Sequence, residues 1–405
     1  SQEIHAYVTQ VMTEWTPDVH VDGHHGGSDP YVITYQGTLN PSADAALRAW
    51  PYDNIFPRIR EAAEAEDYRA FDYSGVRTED GRQGWGSTSV EPRKHHVYTG
   101  LTNTIGILLE TPRNSRRVLQ NGTVVEIPEE DRYYHQIRGG VIALSTILEV
   151  AAEKREEIRN LTTASRMRAI NAGHEGAGEV VLDYEVSNRG DEPVWMPDWN
   201  AELGYSLQTV PVWLRWIPTR TTKRPVGYLM PPAMAAVVPI LMDHDIAVYR
   251  FTGSGSINAE VYYATDVQTE SYFQGHYLKA VEVEKESETV EVQEGWFWIP
   301  TAQSMGNLIT YLMEPETDDN LITWGWTDHI LEETPESEDA VLQAMLGGRM
   351  MSELAAEQQQ RMRDRATSIL SARQQVPMMR VLSHQRISVM RVQPFNQYQR
   401  NRFFR

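Results

Sequence analysis

Apolar residues at Ile4, Val8, Val11, Met12 and Trp15 recur with a helical period, so residues 1–16 read as a helix that Pro17 ends. A short strand, 19–22, follows and runs into Gly23-His24-His25-Gly26-Gly27, where the glycines permit a sharp turn at the strand's end. Residues 41–67 read as helical with interruptions at Pro51 and Pro57, and 72–100, dense in glycine, reads as a long loop. The run Thr104-Ile105-Gly106-Ile107-Leu108-Leu109 is continuously apolar and short, the pattern of a strand buried on both faces of a mixed sheet, and it stops at Glu110. From 133 to 169 the spacing is helical again, closing a first domain over 1–170.

After the loop 171–178 the pattern alternates as strands do: EVVLDYEVSNRG, VPVWLRWIP and VGYLMPP precede a helix over 233–245. Strands at IAVYRF, INAEVYYATDV and TVEVQEGWFWIP and a helix over 303–313 complete an α+β accessory domain assigned to 176–333. Residues 334–405 form a tail, helical and polar at first and then rich in Arg, Gln and Met. The fold class expected for the whole is α/β: part of a mixed-sheet domain, the accessory domain and a helical or extended basic tail.

Composition narrows the function classes. The 405 residues include 56 acidic and 37 basic side chains, a formal charge of -19 that repels nucleic acid. Cysteine is absent, so a bound metal must use His, Asp or Glu. No run approaches the roughly 20 apolar residues of a membrane span. The segment 361–405 departs from this balance with ten arginines against one acidic residue. Its mixed stretches VPMMRVL and FNQYQRNRFFR suggest docking on an acidic surface, in another copy or in a separate fragment, with disorder as the alternative.

The polar groups that end the two short strands are the candidate chemistry: Asp22-Gly23-His24 on one and Glu110 on the other. Taken singly, a strand-end carboxylate caps or pairs, and a histidine among glycines turns the chain. His329-Ile330-Leu331-Glu332 has the spacing of a metal pair on a helix, yet reads as a solvated face. His95-His96, beside Arg93 and Lys94, reads as exposed loop. The many tryptophans in the second half suit packing better than a glycan-binding platform.

PDVHVDGHHGGSDPYVI, followed by YTGLTNTIGILLETPRN, resembles the later half of the carboxypeptidase A-like zinc peptidase family, and the resemblance to its large bacterial members continues to about residue 330. It implies that His24 is the third zinc ligand, that Asp22 supports its imidazole, and that Glu110 is the general base. Tyr98, ranked ahead of Tyr73, stands for the family's mobile tyrosine. Where the family has Gly-Leu-Arg-Asn-Arg this chain has Gly100-Leu101-Thr102-Asn103-Thr104, with both arginines replaced. The family's His-x-x-Glu motif comes upstream of the third ligand and is not present there. The resemblance therefore implies a Zn2+ carboxypeptidase that acts on peptide C-termini, outside the cell or in the periplasm. It would be completed by an N-terminal fragment of the same precursor, and the tail is where a homo-oligomer would form. The competing readings are an inactive carboxypeptidase-like protein with an assembly role, and a binding module.

Overall fold

The structure is a computed structural model, and it describes residues 1–384 apart from 28, 88, 89, 333, 336 and 349, together with 392–394. The chain divides into two compact units. One comprises Ser1–Asn171, Glu179–Thr222 and Gln303–Leu308; the other comprises Ala172–Gly178, Lys223–Ala302 and Ile309–Arg405. Helix and strand mix in both. No helix among the described residues is long and apolar enough to cross a membrane.

In the first unit α1 (Gln2–Ala6), a π-helical turn (Tyr7–Met12) and α2 (Thr13–Trp15) form the expected amino-terminal helix, which ends at Thr16 in left-handed conformation just before Pro17. Then come β1 (Val19–His24), β2 (Ile33–Gly37), α3 (Ala45–Asn54), α4 (Phe56–Glu64) and β3 (Ala70–Asp72). Pro51 lies inside α3 without ending it. The break falls at Ile55, and Pro57 opens α4, where a missing N–H is harmless.

The glycine-rich stretch expected as loop contains a hairpin, β4 (Gly75–Glu79) and β5 (Arg82–Gly86), and a short helix, α5 (His95–Leu101). Asp80 and Gly81, both at positive φ, close a two-residue turn between paired Glu79 and Arg82, so the local chemistry of Asp-Gly outweighed the loop-like composition. β6 (Ile105–Glu110) leads to the small pair β7 (Arg116–Val118) and β8 (Val124–Glu126). The helical stretch predicted over 133–169 is two helices, α6 (Arg132–Glu153) and α7 (Arg155–Glu175), parted at Lys154.

The central sheet has the order β1-β6-β2-β3, with β1 parallel to β6, β6 antiparallel to β2, and β2 parallel to β3. Alternation gives its two faces different jobs. Val19, Val21, Ile33, Tyr35, Ile105, Ile107 and Leu109 join α3, α4 and α6 in one apolar core. Asp22, His24, Thr34, Gln36, Leu108 and Glu110 occupy the register positions of the other face. There α5 packs so closely that a Cβ at Gly106 would collide with the His96 carbonyl and the Thr99 and Thr38 hydroxyls, and one at Gly100 with Thr38.

The long strands β9 (Glu179–Pro197) and β10 (Tyr205–Lys223) were expected to open a second domain near 176. They extend the hairpin sheet in the order β4-β5-β10-β9 instead, with β10 parallel to β5. Arg189 of β9 also pairs at 2.7 Å with the buried Asp72 of β3, so this hairpin belongs to the first unit.

The second unit is built on a sheet of β11 (Gly227–Met230), β12 (Tyr249–Phe251), the long hairpin β13 (Gly255–Phe273) and β14 (His276–Val292), β15 (Phe297–Pro300), β16 (Gln374–Gln375), β17 (Met379–Val381) and β18 (Val392–Pro394). The helix predicted over 233–245 is a 3-10 turn (Pro232–Val237) followed by α8 (Val238–Asp243); α9 (Gly306–Met313), α10 (Glu338–Leu346) and α11 (Ala356–Leu370) are the remaining α-helices among the described residues.

One expectation about the tail is overturned here. VPMMRVL contains β17, an interior strand of this unit between β13 and β11, and Arg380 is buried beside Glu314 and Glu260, each at 3.1 Å. Tyr228 and Tyr262 donate their hydroxyls to the same Glu314 carboxylate. FNQYQRNRFFR lies outside the described residues. Burial raises the carboxyl of Glu314, with Arg380 opposing that shift.

Arg380→Ala leaves Glu314 buried without its counter-charge, and urea unfolding is expected to show a loss of about 3–5 kcal/mol at neutral pH. Because the variant's carboxyl is raised further, the loss shrinks as the pH falls and Glu314 takes up a proton.

Candidate functional site

Register builds the site. The parallel pairing of β1 and β6 sets Val21 against Ile107, Asp22 against Leu108 and His24 against Glu110, so both predicted residues stand side by side at the strands' carboxyl ends. A cavity of about 520 Å³ opens there, lined by Asp22, His24, Gln36, Tyr73, Leu108 and Glu110 from the strands and the loop after β3, and by Arg93, Lys94, His95 and His96 on the approach to and start of α5.

Glu110 is 6% exposed, and its Oε2 accepts the Gly26 N–H at 2.6 Å. A Cβ at Gly26 would fall 2.9 Å from that oxygen, so glycine is what lets the backbone donor come so near. Burial raises the carboxyl above the ordinary glutamate range; the Gly26 N–H and the neighbouring His24 pull the other way. The result is a fixed carboxylate with more affinity for a proton than a solvated one has.

His24 is half exposed, with Nε2 2.9 Å from Oδ1 of Asp22. Asp22 also faces Nδ1 of His95 at 3.6 Å and Nδ1 of His96 at 3.8 Å. Burial alone would raise its carboxyl, but the nearby His95 and His96 rings and the charge of His24 hold it far below the ordinary aspartate range. Gln36 carries the chain one step further, its Nε2 3.3 Å from Nε2 of His96. Tyr7 stacks on the other side of His95, ring centroids 4.8 Å apart.

Three of the predicted residues, Asp22, His24 and Glu110, are thus brought together. Tyr98 is buried within α5 and is not among the residues lining the cavity; Tyr73 is, and its phenol is raised by burial and by the charge of Glu110. His95 and His96, read from sequence as exposed loop, belong to the site, and His96 is only 2% exposed. The signal that could have found His96 is the polar alternation of Thr34 and Gln36 on β2, continued by Thr38 just after it, which leaves Gln36 needing a polar partner on that face. His329 lies in a turn, 3.0 Å from the Ala233 carbonyl, so the His329/Glu332 spacing does not fall on a helix.

Among the described residues no group of three or more His, Asp or Glu side chains is arranged to hold a metal ion. His24 has the chemistry of a zinc ligand oriented by a carboxylate, but a protein site for zinc takes three or four such donors. The donor set within this chain therefore fits zinc in part. Compared with known proteins, the chain matches no family model, no curated protein and no solved structure.

Asp22→Asn tests the histidine cluster. A depressed folded-state pKa means that Asp22 contributes stability above the unfolded value near 4 and loses it as the pH falls through the folded value. Urea unfolding should show the variant weaker by on the order of 2 kcal/mol at pH 7, with the gap closing on acidification below pH about 4.

Proposed function

We propose that this chain carries the later half of a zinc-dependent metallocarboxypeptidase site, which hydrolyses peptide bonds at C-termini and is completed by an N-terminal fragment holding the remaining metal ligands. The supporting observation is the β1–β6 register, which sets the carboxylate-oriented His24 beside the buried Glu110 at the mouth of the cavity.

The part of the reaction assigned to this chain is proton handling. Glu110, raised by burial and aimed by the Gly26 N–H, takes a proton from the attacking water and returns it to the leaving amine. Asp22 fixes the His24 imidazole by accepting at 2.9 Å. Zinc, when bound, supplies polarisation of the carbonyl and acidification of water.

Two features support a completing polypeptide. In the central sheet β1 is an end strand, with β6 on one side of it. On α6 Tyr134, Ile137, Val141, Leu144 and Leu148 stand exposed at alternating three- and four-residue spacing, the seam on which another helix packs. This row starts beside the site: Gln136 donates to the Thr111 carbonyl at 2.7 Å, and the Thr111 N–H donates to the His24 carbonyl at 3.2 Å.

One observation favours the second reading, an inactive relative with an assembly role. Thr102 and Thr104, where the resemblance expects arginines, donate to the carbonyls of Thr99 and Pro17 and serve the backbone.

Glu110→Gln in the completed protein is expected to lower kcat by about 10²–10⁴-fold with zinc content unchanged, while His24→Ala lowers zinc content itself. The acid limb of kcat/KM should lie above pH 4.5, the ordinary glutamate value from which burial raises this group. Peptide hydrolysis that survives Glu110→Gln undiminished would remove the assignment.

A further inference from the structure

The apolar row on α6 stays exposed in a helix whose other side is already packed. Tyr133, Tyr134, Ile137, Val141, Leu144 and Leu148 are between 44% and 69% exposed, whereas Ile142, Ala143, Ile147 and Val150 are buried in the core of the first unit. Together the six offer on the order of 700 Å² per copy, more than a monomer usually leaves in one apolar patch and close to the roughly 800 Å² per partner of a stable interface.

Spacing makes the row complementary to itself. Tyr134 and Leu148 lie seven residues to either side of Val141, with Ile137 and Leu144 between them and it. A second α6 running the opposite way therefore sets Tyr134 over the partner's Leu148, Ile137 over the partner's Leu144, and Val141 over its own counterpart at a two-fold axis. Beside the row stand Gly140, Ser145 and Ala152, small and uncharged, so two helices can approach closely. Arg138, also beside it, is neutralised within its own chain by Glu66, to which its Nε donates at 2.6 Å. Hence no like charges oppose the contact, although the chain as a whole carries a formal charge of -19. Parallel pairing would align the helix dipoles and bring together the two acidic last turns, which hold Glu149 and Glu153.

We infer that this chain by itself forms a two-fold dimer through α6, its partner a second copy in antiparallel orientation. The row is also where a completing polypeptide would pack, so the two occupants exclude one another, and the dimer is an uncompleted state of the hydrolase proposed above. The pairing itself does not depend on that reading.

The experiment is light scattering after size exclusion, with sedimentation velocity from low to high micromolar concentration, on the full chain. The expected mass is twice the 46.3 kDa of one chain. Val141→Glu sets two carboxylates against each other at the axis and should weaken the dimer about 100-fold or more, since like charges then meet across the interface. Tyr134→Lys and Leu148→Glu should each weaken it too. The chain carrying both should recover most of the lost affinity, because antiparallel pairing sets the introduced cation against the introduced anion at both ends. Recovery of that kind is something misfolding does not produce, and circular dichroism checks that each single variant is folded.

A mass of one chain at every concentration overturns the inference and leaves α6 to another polypeptide. A dimer indifferent to Val141→Glu overturns it by placing the contact elsewhere, the tail included. A double variant that stays monomeric overturns the antiparallel register. None of these outcomes touches the assignments of His24 and Glu110, which lie outside the row.

Discussion

The site in this protein depends on the register between two short parallel strands. A slip of one residue between β1 and β6 would turn Asp22 and His24 into the apolar core and bring Val21 to the cavity, because side chains alternate across a sheet. The register is held from the core face by Val19, Val21, Ile105, Ile107 and Leu109 against α3, α4 and α6. From the site face it is held by α5, which fits over Gly106 at a distance no Cβ could share. The positions of His24 and Glu110 are thus consequences of packing several residues away from either.

The electrostatics follow from that placement. A carboxylate at a strand end would normally be solvated; here β2, the loop before it and α5 shut out water, so Asp22 and Glu110 respond to their neighbours. Their responses are opposite. Asp22, facing His24, His95 and His96, is held ionised, whereas at Glu110 burial outweighs the Gly26 N–H and the nearby His24 and His25, and the carboxyl is raised. Two carboxyl groups close together with proton affinities driven apart are what acid–base chemistry requires. The second unit shows the contrasting use of burial: Arg380, Glu314, Tyr228 and Tyr262 satisfy one another inside a sheet, a role in structure.

Much of the first unit could be read from residue order. The continuous apolar run 105–109, the helical period after 133 and the glycine turn after β1 each report a local preference strong enough to survive folding. The Asp80–Gly81 turn was legible too, but it was masked by the glycine density around it. What could not be read are features made by segments distant in sequence: Tyr73 rather than Tyr98 lining the cavity, His96 buried against Gln36, and VPMMRVL taken into a sheet. A stretch mixing arginine with apolar residues looks the same whether its arginine meets solvent or a buried glutamate more than sixty residues earlier.

Sequence by itself determined the two short strands, the residues at their ends and the helices that flank them, since period, turn chemistry and strand length are local. Tertiary structure alone decided which ends meet and which side chains share their cavity. It joined the hairpin of β9 and β10 to the first unit and gave Asp22 three imidazoles to face. The physical reason is that pairing, burial and proton affinity belong to groups brought together across the chain, and no stretch of residues carries them alone.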